Sequence, residues 1–259
     1  MASSERFGYE WGKYSYLTPI YETQLKAWIS PLSEKDFVGK RLLDAGCGMG
    51  RNSYWPLTWG AKEVLAFDLD PRSVESAKAN LAKFKNAKIE TRSIYDIKWQ
   101  NQFDLVLCVG VLHHLKWPID ALVNLYRALT PNGKLILWVY GYEGNEWIVR
   151  YVSPVRKLIT SRLPVGVVHF LSYFVSIPLW IYLKLAKPRS GYLATLSQFI
   201  FWHMHSIVFD QLIPKIANYW TREEVEKLLQ SADIHMFTIH KTPTGTGWTV
   251  IAEKANQFS

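Results

Sequence analysis

Apolar and polar positions show two alternating patterns between residues 40 and 140. Short apolar runs, rich in leucine and β-branched residues, predict strands at 41–45, 63–69, 87–92, 103–109 and 134–140. The longer segments between them place apolar side chains at helical spacing, most clearly at 72–84 and 117–129. Strands that alternate with helices are typical of βαβ units around a parallel sheet. This part of the chain therefore predicts a doubly wound α/β fold.

The alternation of predicted strands and helices stops after residue 140. Residues 141–219 are apolar, aromatic and basic, and their prolines at 154, 164, 178, 188 and 214 predict a helical insertion of several pieces. Alternation resumes with a helix at 221–231 and two strands at 234–241 and 248–253, joined by a short loop that predicts a hairpin. We expect a Rossmann-like, mostly parallel seven-stranded sheet with an antiparallel last strand, built from 36–140 and 220–259. An aromatic segment at 1–35 precedes it.

Net charge indicates the class of binding partner, and cysteine content indicates the cellular compartment. The chain has a formal net charge of +8, and the insertion carries eight Lys or Arg against three Asp or Glu. Such a balance favours an anionic partner, either acidic lipid or nucleic acid. The two cysteines, Cys47 and Cys108, lie in apolar runs, so we expect buried thiols and no disulfide. Because the first residues lack the pattern of an export signal, we expect a cytoplasmic protein.

A glycine-rich turn follows the first predicted strand, in the sequence Leu-Leu-Asp-Ala-Gly-Cys-Gly-Met-Gly-Arg-Asn at 42–52. Glycine permits a close backbone approach to a ligand, and Asp68 ends the second strand where it can reach a ribose diol. The glycines at 46, 48 and 50 do not have the spacing of a dinucleotide fingerprint. Asp44 would repel a pyrophosphate but suits a ligand with ammonium and sulfonium groups. The simpler alternative is a tight strand-to-helix connection.

With these features the chain resembles the class I S-adenosylmethionine-dependent methyltransferases. Residues 44–50 resemble the cofactor loop of that family, Asp68 its ribose-binding acid, and Asp96 the acid that meets the adenine amine, with Ile94 or Tyr95 lining the adenine. Residues 103–115 resemble its fourth strand and the turn after it. The resemblance implies S-adenosylmethionine as cofactor, with binding residues Asp44, Gly46, Gly48, Gly50, Asp68, Leu69, Tyr95, Asp96 and Val109.

Histidines supply the candidate proton acceptors. His113 and His114 follow the fourth predicted strand, where an imidazole could deprotonate an acceptor hydroxyl, and His114 is the preferred candidate. The alternative for both is a solvated or helix-capping side chain. His203 and His205 lack enough further ligands nearby for a metal site, so we predict no metal. Asp210 is expected to be a surface or salt-bridged acid.

The aromatic side chains of the first segment predict a lid over the cofactor and the acceptor. Its candidate substrate-contacting residues are Tyr9, Trp11 and Tyr14, and the alternative is simple packing onto the sheet. Residues 165–186 are nearly long enough to span a bilayer, but His169, Pro178 and Lys184 interrupt them. Three interpretations therefore stay open: a soluble cap over the site or a second subunit, peripheral contact with an anionic membrane, or a membrane span.

A hydrophobic cap would desolvate a polar ligand at a cost, so the expected acceptor is a hydrophobic small molecule such as a phenolic, quinone-like or terpenoid compound. RNA methylation is the second hypothesis, weakened because basic residues are interleaved with apolar runs and no RNA-binding module is recognisable. A non-catalytic scaffold that binds the cofactor is the third. The sequence is also compatible with a homo-oligomer.

Overall fold

Seven strands form one sheet in the residues that the computed structural model describes, 4–189 and 191–256. They are β1 (Arg41–Ala45), β2 (Glu63–Asp68), β3 (Ala87–Thr91), β4 (Phe103–Val109), β5 (Leu129–Tyr140), β6 (Phe237–Lys241) and β7 (Gly247–Glu253). The strand order is β3-β2-β1-β4-β5-β7-β6, parallel except for β7, which pairs antiparallel with β5 and β6. The predicted fold class is confirmed. The order reverses between β1 and β4, where the carboxyl ends of parallel strands open a crevice for ligands.

Helices cover both faces of the sheet and build the insertion. They are α1 (Ser4–Lys13), α2 (Ile20–Ile29), α3 (Arg51–Thr58), α4 (Pro71–Leu81), α5 (Pro118–Ala128), α6 (Ser153–Val155), α7 (Val165–Ala186), α8 (Gly191–Ser197), α9 (Phe201–Leu212) and α10 (Arg222–Ser231). The short α6 lies between two π-helical turns, Ile148–Val152 and Arg156–Thr160. The predicted helical insertion therefore consists of α6 to α9 and these turns.

Local chemistry sets most of the element boundaries. The Asp70 side chain accepts a hydrogen bond from the Arg72 amide at 2.9 Å and so caps α4. Thr221 and Glu224 form a capping box at the start of α10. Two strands begin three or more residues from the predicted position: β5 begins at Leu129 rather than at residue 134, and β6 begins at Phe237 rather than at residue 234. Leu129 pairs with Phe103 and Lys134 with Leu105, so residues 130–133 form an irregularity within β5, where Asn132 adopts a positive φ of 61° and the expected turn is found.

Two apolar clusters hold the sheet between its helices. On one face Leu122 and Leu125 of α5 and Leu229 of α10 pack against β4, β5 and β7. On the other face Leu25, Leu57 and Leu81, from α2, α3 and α4, pack against β1 and β2. Cys47 and Cys108 are buried free thiols, as predicted. Because both faces are covered, the ligand crevice opens only at the ends of the strands.

A polar seam, which we define as Tyr14, His169, Ser172, Ser176 and His205, joins α7 to α9 and to the end of α1. The Tyr14 hydroxyl lies 2.8 Å from His169 Nε2, and His205 Nδ1 lies 2.7 Å from the Ser176 hydroxyl. Ser172 donates to the His169 carbonyl at 2.6 Å. All of these side chains are buried. The orientation of α7 is therefore fixed by these hydrogen bonds together with the apolar contacts of Val168 and Leu183, which are buried on the same side.

Stability should depend on pH through His205. Burial lowers the pKa of this side chain to about 4, below that of a histidine in the unfolded chain. The unfolded state therefore binds the proton more tightly, and the stabilising contribution of neutral His205 is lost as the pH falls from about 6.5 towards 4. We expect His205→Gln to cost less stability at about pH 5 than at about pH 7, measured by urea unfolding.

The matched control is His235→Gln, because His235 is exposed on the loop before β6. Its effect on the free energy of unfolding should be small at both pH values. An identical cost of His205→Gln at the two pH values would contradict the assignment.

Candidate active site

A cavity of about 860 Å³ lies at the carboxyl ends of the parallel strands. Its floor is formed by the glycine-rich loop after β1 and by the ends of β2, β4 and β5. Residues of α1, α8 and α9 form much of the remaining wall. Ligand pockets commonly have volumes of roughly 300 to 1,000 Å³, so the space suits a cofactor together with a small second molecule.

Glycine is required in the loop because a side chain would collide with its neighbours. Gly46 and Gly48 line the cavity with positive φ angles of 77° and 54°. A Cβ atom on Gly46 would lie 2.5 Å from a methyl group of Val111, and one on Gly48 would lie 3.0 Å from the Trp11 indole nitrogen. Gly50, at the start of α3, packs against α4 and does not line the cavity. The bare backbone thus faces the ligand space.

Asp68 lies at the end of β2 and lines the cavity, as expected for a ribose-binding acid. Its carboxylate accepts the Gly48 amide at 2.9 Å and the Asp70 amide at 3.0 Å, which holds it beside the loop. Burial raises its pKa, although these backbone bonds oppose the shift. Leu69, Tyr95 and Val109 also line the cavity.

Like Gly50, two predicted cofactor-binding acids do not line the cavity. Asp44 is buried beneath the loop, where it accepts the Ser53 hydroxyl at 2.6 Å, and burial raises its pKa to about 7. This hydrogen bond joins β1 to α3, the two elements that the loop connects, and Asp44 does not line the cavity. Asp96 is exposed, because the tight turn after β3 brings Ser93, Ile94 and Tyr95 to the cavity instead. The expectation that Asp44 and Asp96 face the cofactor needs correction.

The two candidate histidines have different surroundings. His114 lines the cavity, and its Nδ1 donates to the Ile216 carbonyl at 2.7 Å, which leaves Nε2 unprotonated and able to accept a proton. Burial lowers its pKa to about 4, so it is neutral at neutral pH. His113 is fully buried and stacks on Tyr140 with ring centroids 3.8 Å apart. Because Tyr140 separates it from the cavity, its predicted catalytic role is wrong.

Only one of the three predicted lid aromatics reaches the cavity. Trp11 lines it beside Gly48. Tyr9 instead packs edge-on against His169 and Phe209, with ring centroids 5.9 and 6.0 Å away. Tyr14 belongs to the polar seam. Residues on the other side of α1 thus anchor the helix, and the prediction of acceptor contact for Tyr9 and Tyr14 is not supported by their positions.

Glu10 and Arg51 are charged residues of the cavity wall that the sequence analysis did not single out. Glu10 follows Phe7 and precedes Trp11 on the same face of α1, and that helical spacing could have revealed it. Arg51 lies among three aromatic rings, Trp11, Tyr21 and Trp28, with its guanidinium carbon 4.9 to 5.1 Å from their centroids. Such a cage holds a cation in a fixed position.

Asp210 also lines the cavity, so it is not the plain surface acid that the sequence suggested. Tyr140 donates to its carboxylate at 3.1 Å. Burial raises the pKa of Asp210 to about 6, and burial together with the Asp210 charge raises that of Glu10 well above its usual range. Since two buried carboxyl groups resist joint ionisation, the two acids of the wall titrate as a pair.

The residues present fit S-adenosylmethionine. The glycine loop gives bare backbone, Asp68 offers a carboxylate for a ribose diol, and Ile94 and Tyr95 give an apolar surface for a base. Arg51 provides a fixed cation for the carboxylate of an amino acid. Among the described residues, no group of three His, Cys, Asp or Glu side chains is arranged to hold a metal ion.

Strand order and loop geometry define an α/β protein with a cavity at its switch point, and the lining of that cavity suits a nucleoside-containing cofactor. Residues 43–137 match the family model described as a methyltransferase domain. This stretch is a methyltransferase domain, and the cavity residues described above fit S-adenosylmethionine as its cofactor. The family resemblance seen in the sequence is confirmed.

Curated relatives share this domain. A mitochondrial ubiquinone biosynthesis O-methyltransferase of Schizosaccharomyces pombe is 38% identical over 105 residues, 39% of this chain and 38% of its own length. A tRNA U34 carboxymethyltransferase of Helicobacter pylori is 35% identical over 103 residues, 38% of this chain and 40% of its own length. The chain thus spans about two fifths of each of these relatives.

A solved structure shares the fold over a longer stretch. Human N-acetylserotonin methyltransferase in complex with S-adenosylmethionine superposes on 92% of this chain and 53% of its own, with a TM-score of 0.55 and 15% identity. This likeness shows a common fold.

Replacing Asp68 should weaken cofactor binding. Asp68→Ala removes a carboxylate from the cavity wall, and we expect S-adenosylhomocysteine to bind about tenfold more weakly or worse. Asp96→Ala is the matched control and should leave affinity unchanged, because Asp96 is exposed outside the cavity. Isothermal titration calorimetry measures both. Equal losses in the two variants would show that Asp96 contacts the cofactor after all.

Proposed function

We propose that this protein transfers a methyl group from S-adenosylmethionine to a hydrophobic small molecule that carries an ionisable hydroxyl group. The observation that carries the proposal is the lining of the cavity. Around the acceptor space Tyr192, Leu196 and Phe199 come from the insertion, and Trp138 and Tyr140 come from β5. Most of the surface of the cavity is apolar, which suits a hydrophobic ligand.

When bound, S-adenosylmethionine supplies an electrophilic methyl group and a neutral leaving group. The protein must therefore align the acceptor, exclude water and remove a proton. Asp210 is suited to the last task, because its pKa of about 6 leaves it ionised at neutral pH while keeping it basic. His114 is the second candidate, with Nε2 free of a proton, but its pKa of about 4 makes it the weaker base.

RNA methylation is favoured by the net charge of +8 and by the similarity to a tRNA U34 carboxymethyltransferase of Helicobacter pylori. The cavity gives it less support. Basic residues in its described lining are Arg51, Arg92 and Lys116, and aromatic rings enclose the first of these. A polynucleotide needs a basic groove that follows its backbone. The name of the Schizosaccharomyces pombe relative, an O-methyltransferase of ubiquinone biosynthesis, agrees with a hydrophobic acceptor.

Methyl transfer with labelled cofactor tests the acceptor class. The purified protein is incubated with methyl-labelled S-adenosylmethionine and, in parallel, with a panel of phenolic and quinol compounds or with bulk tRNA. We expect label in the organic extract of the small-molecule reactions. Label in the precipitated tRNA instead would overturn the proposal in favour of RNA methylation.

The pH profile separates the two candidate bases. If Asp210 accepts the proton, kcat/KM rises with pH through about 6 and is level above it, and Asp210→Asn lowers kcat about a hundredfold or more. A limb near pH 4, with a large loss in His114→Gln, would assign the role to His114 instead. Unchanged affinity for S-adenosylhomocysteine in both variants is the control that the cofactor site is intact.

A further inference from the structure

Helix α7 has an inverted distribution of polar and apolar side chains. Its inward side carries members of the polar seam, His169, Ser172 and Ser176, which are buried. Its opposite side is an exposed apolar surface that we call the outer face, made of Phe170, Phe174, Val175, Ile177, Ile181 and Leu185. A helix that packs on a globular core normally has the reverse arrangement. The outer face is therefore adapted to a partner that is itself apolar.

The outer face is strongly exposed. Phe174 retains 67% of its accessible surface and Leu185 retains 79%. The rings of Phe170 and Phe174 touch each other, with centroids 5.6 Å apart, while both remain exposed. Contiguous apolar surface of this kind marks an interaction site.

Charge around the outer face identifies the partner. No Asp or Glu occurs from residue 147 to residue 209. Exposed basic side chains occur throughout the described part of the same stretch, at Arg150, Lys157, Arg162, Lys184, Lys187 and Arg189. Lys184 lies on α7 itself, and Lys187 and Arg189 directly follow it. An apolar face flanked by cations alone complements an anionic lipid surface, where chains accept the apolar groups and headgroups accept the charges.

Aromatic residues support the same partner. Trp180 lies at the border of the outer face with the Lys184 ammonium 4.1 Å from its ring centroid, and Tyr182 is half exposed nearby. Tryptophan and tyrosine favour the interface between water and lipid, because their rings are apolar at one end and polar at the other.

The packing of α7 determines how it would meet the bilayer. By length and composition it could cross a membrane. One side, however, is committed to hydrogen bonds with α9 and α1, and Leu179 reaches the cavity. A helix held in this way can present only its outer face to lipid. It would therefore lie in the plane of the membrane surface.

We propose that the outer face of α7 docks this protein on an anionic lipid bilayer. The proposal does not depend on the identity of the acceptor. Docking would place the insertion, whose inner side lines the cavity, at the lipid bilayer, where hydrophobic compounds dissolve.

Vesicle sedimentation tests the proposal with the full chain. Vesicles of phosphatidylcholine with an equal part of phosphatidylglycerol are compared with vesicles of phosphatidylcholine alone. We expect the protein to sediment with the anionic vesicles and to be released by high salt, since surface attraction is screened. Failure to sediment with anionic vesicles overturns the proposal, and so does equal binding to both compositions.

Two variants identify the surface. Phe170→Ser with Phe174→Ser should lower the partition coefficient about tenfold or more, because two exposed aromatic side chains no longer enter the lipid. Arg162→Gln with Lys184→Gln should lower it about tenfold or more on anionic vesicles only. The matched control is Val38→Ser with Met236→Ser, which replaces exposed apolar side chains outside the insertion and should leave binding unchanged.

Intact folding is checked by S-adenosylhomocysteine binding, which none of these variants should alter. Undiminished vesicle binding by the Phe170→Ser and Phe174→Ser double variant overturns the assignment. A second result would also overturn it: the wild-type protein is a dimer that does not bind vesicles, and the double variant is a monomer. The outer face would then be a contact between two copies of the chain.

Discussion

The hydrogen bonds of the polar seam determine how α7 is oriented, and several other features depend on that orientation. Buried hydroxyl and imidazole groups need partners, so Ser176 and His205 can be placed only where they meet. Once these groups face inward, most of the large apolar residues of α7 face outward, and only Val168 and Leu183 join the polar groups on the buried side. The same seam includes Tyr14 and thus ties the end of α1 to the insertion. The seam, with the hydrogen bonds from Arg6 to the carbonyls of residues 160, 161 and 163, therefore positions α1, the insertion and the outer face relative to one another.

The cavity combines a conventional floor with an unusual wall. Its floor follows from the reversal of strand order between β1 and β4, which any sheet of this topology has. Its wall comes from α1 and the insertion, which bring Glu10 and Asp210 close enough for their charges to interact. Residues of the floor are therefore suited to bind the cofactor, whereas residues of the wall are suited to bind the acceptor and to remove its proton.

Asp44 and Asp96 show where motif reasoning reaches its limit. Both occupy plausible positions in the sequence, but a shift of one or two residues in a turn decides whether a side chain meets ligand, solvent or core. Asp44 is directed under the loop to Ser53, and the turn after β3 leaves Asp96 exposed. The neighbouring histidines lie in different surroundings for the same reason. His113 stacks on Tyr140 in the core, whereas His114 lines the cavity.

The sequence by itself determined the α/β class, nearly all strand positions, the glycine loop and Asp68, because these depend on local periodicity and on short-range turn chemistry. Only the tertiary structure decided which side of α1 faces the ligand, that Arg51 lies in an aromatic cage, and that Asp210 and Glu10 share one wall. These groups are far apart in the chain and are brought together by packing of the insertion. The outward direction of the apolar side of α7 was also decided there, because hydrogen bonding of its polar side requires a partner helix that periodicity cannot reveal.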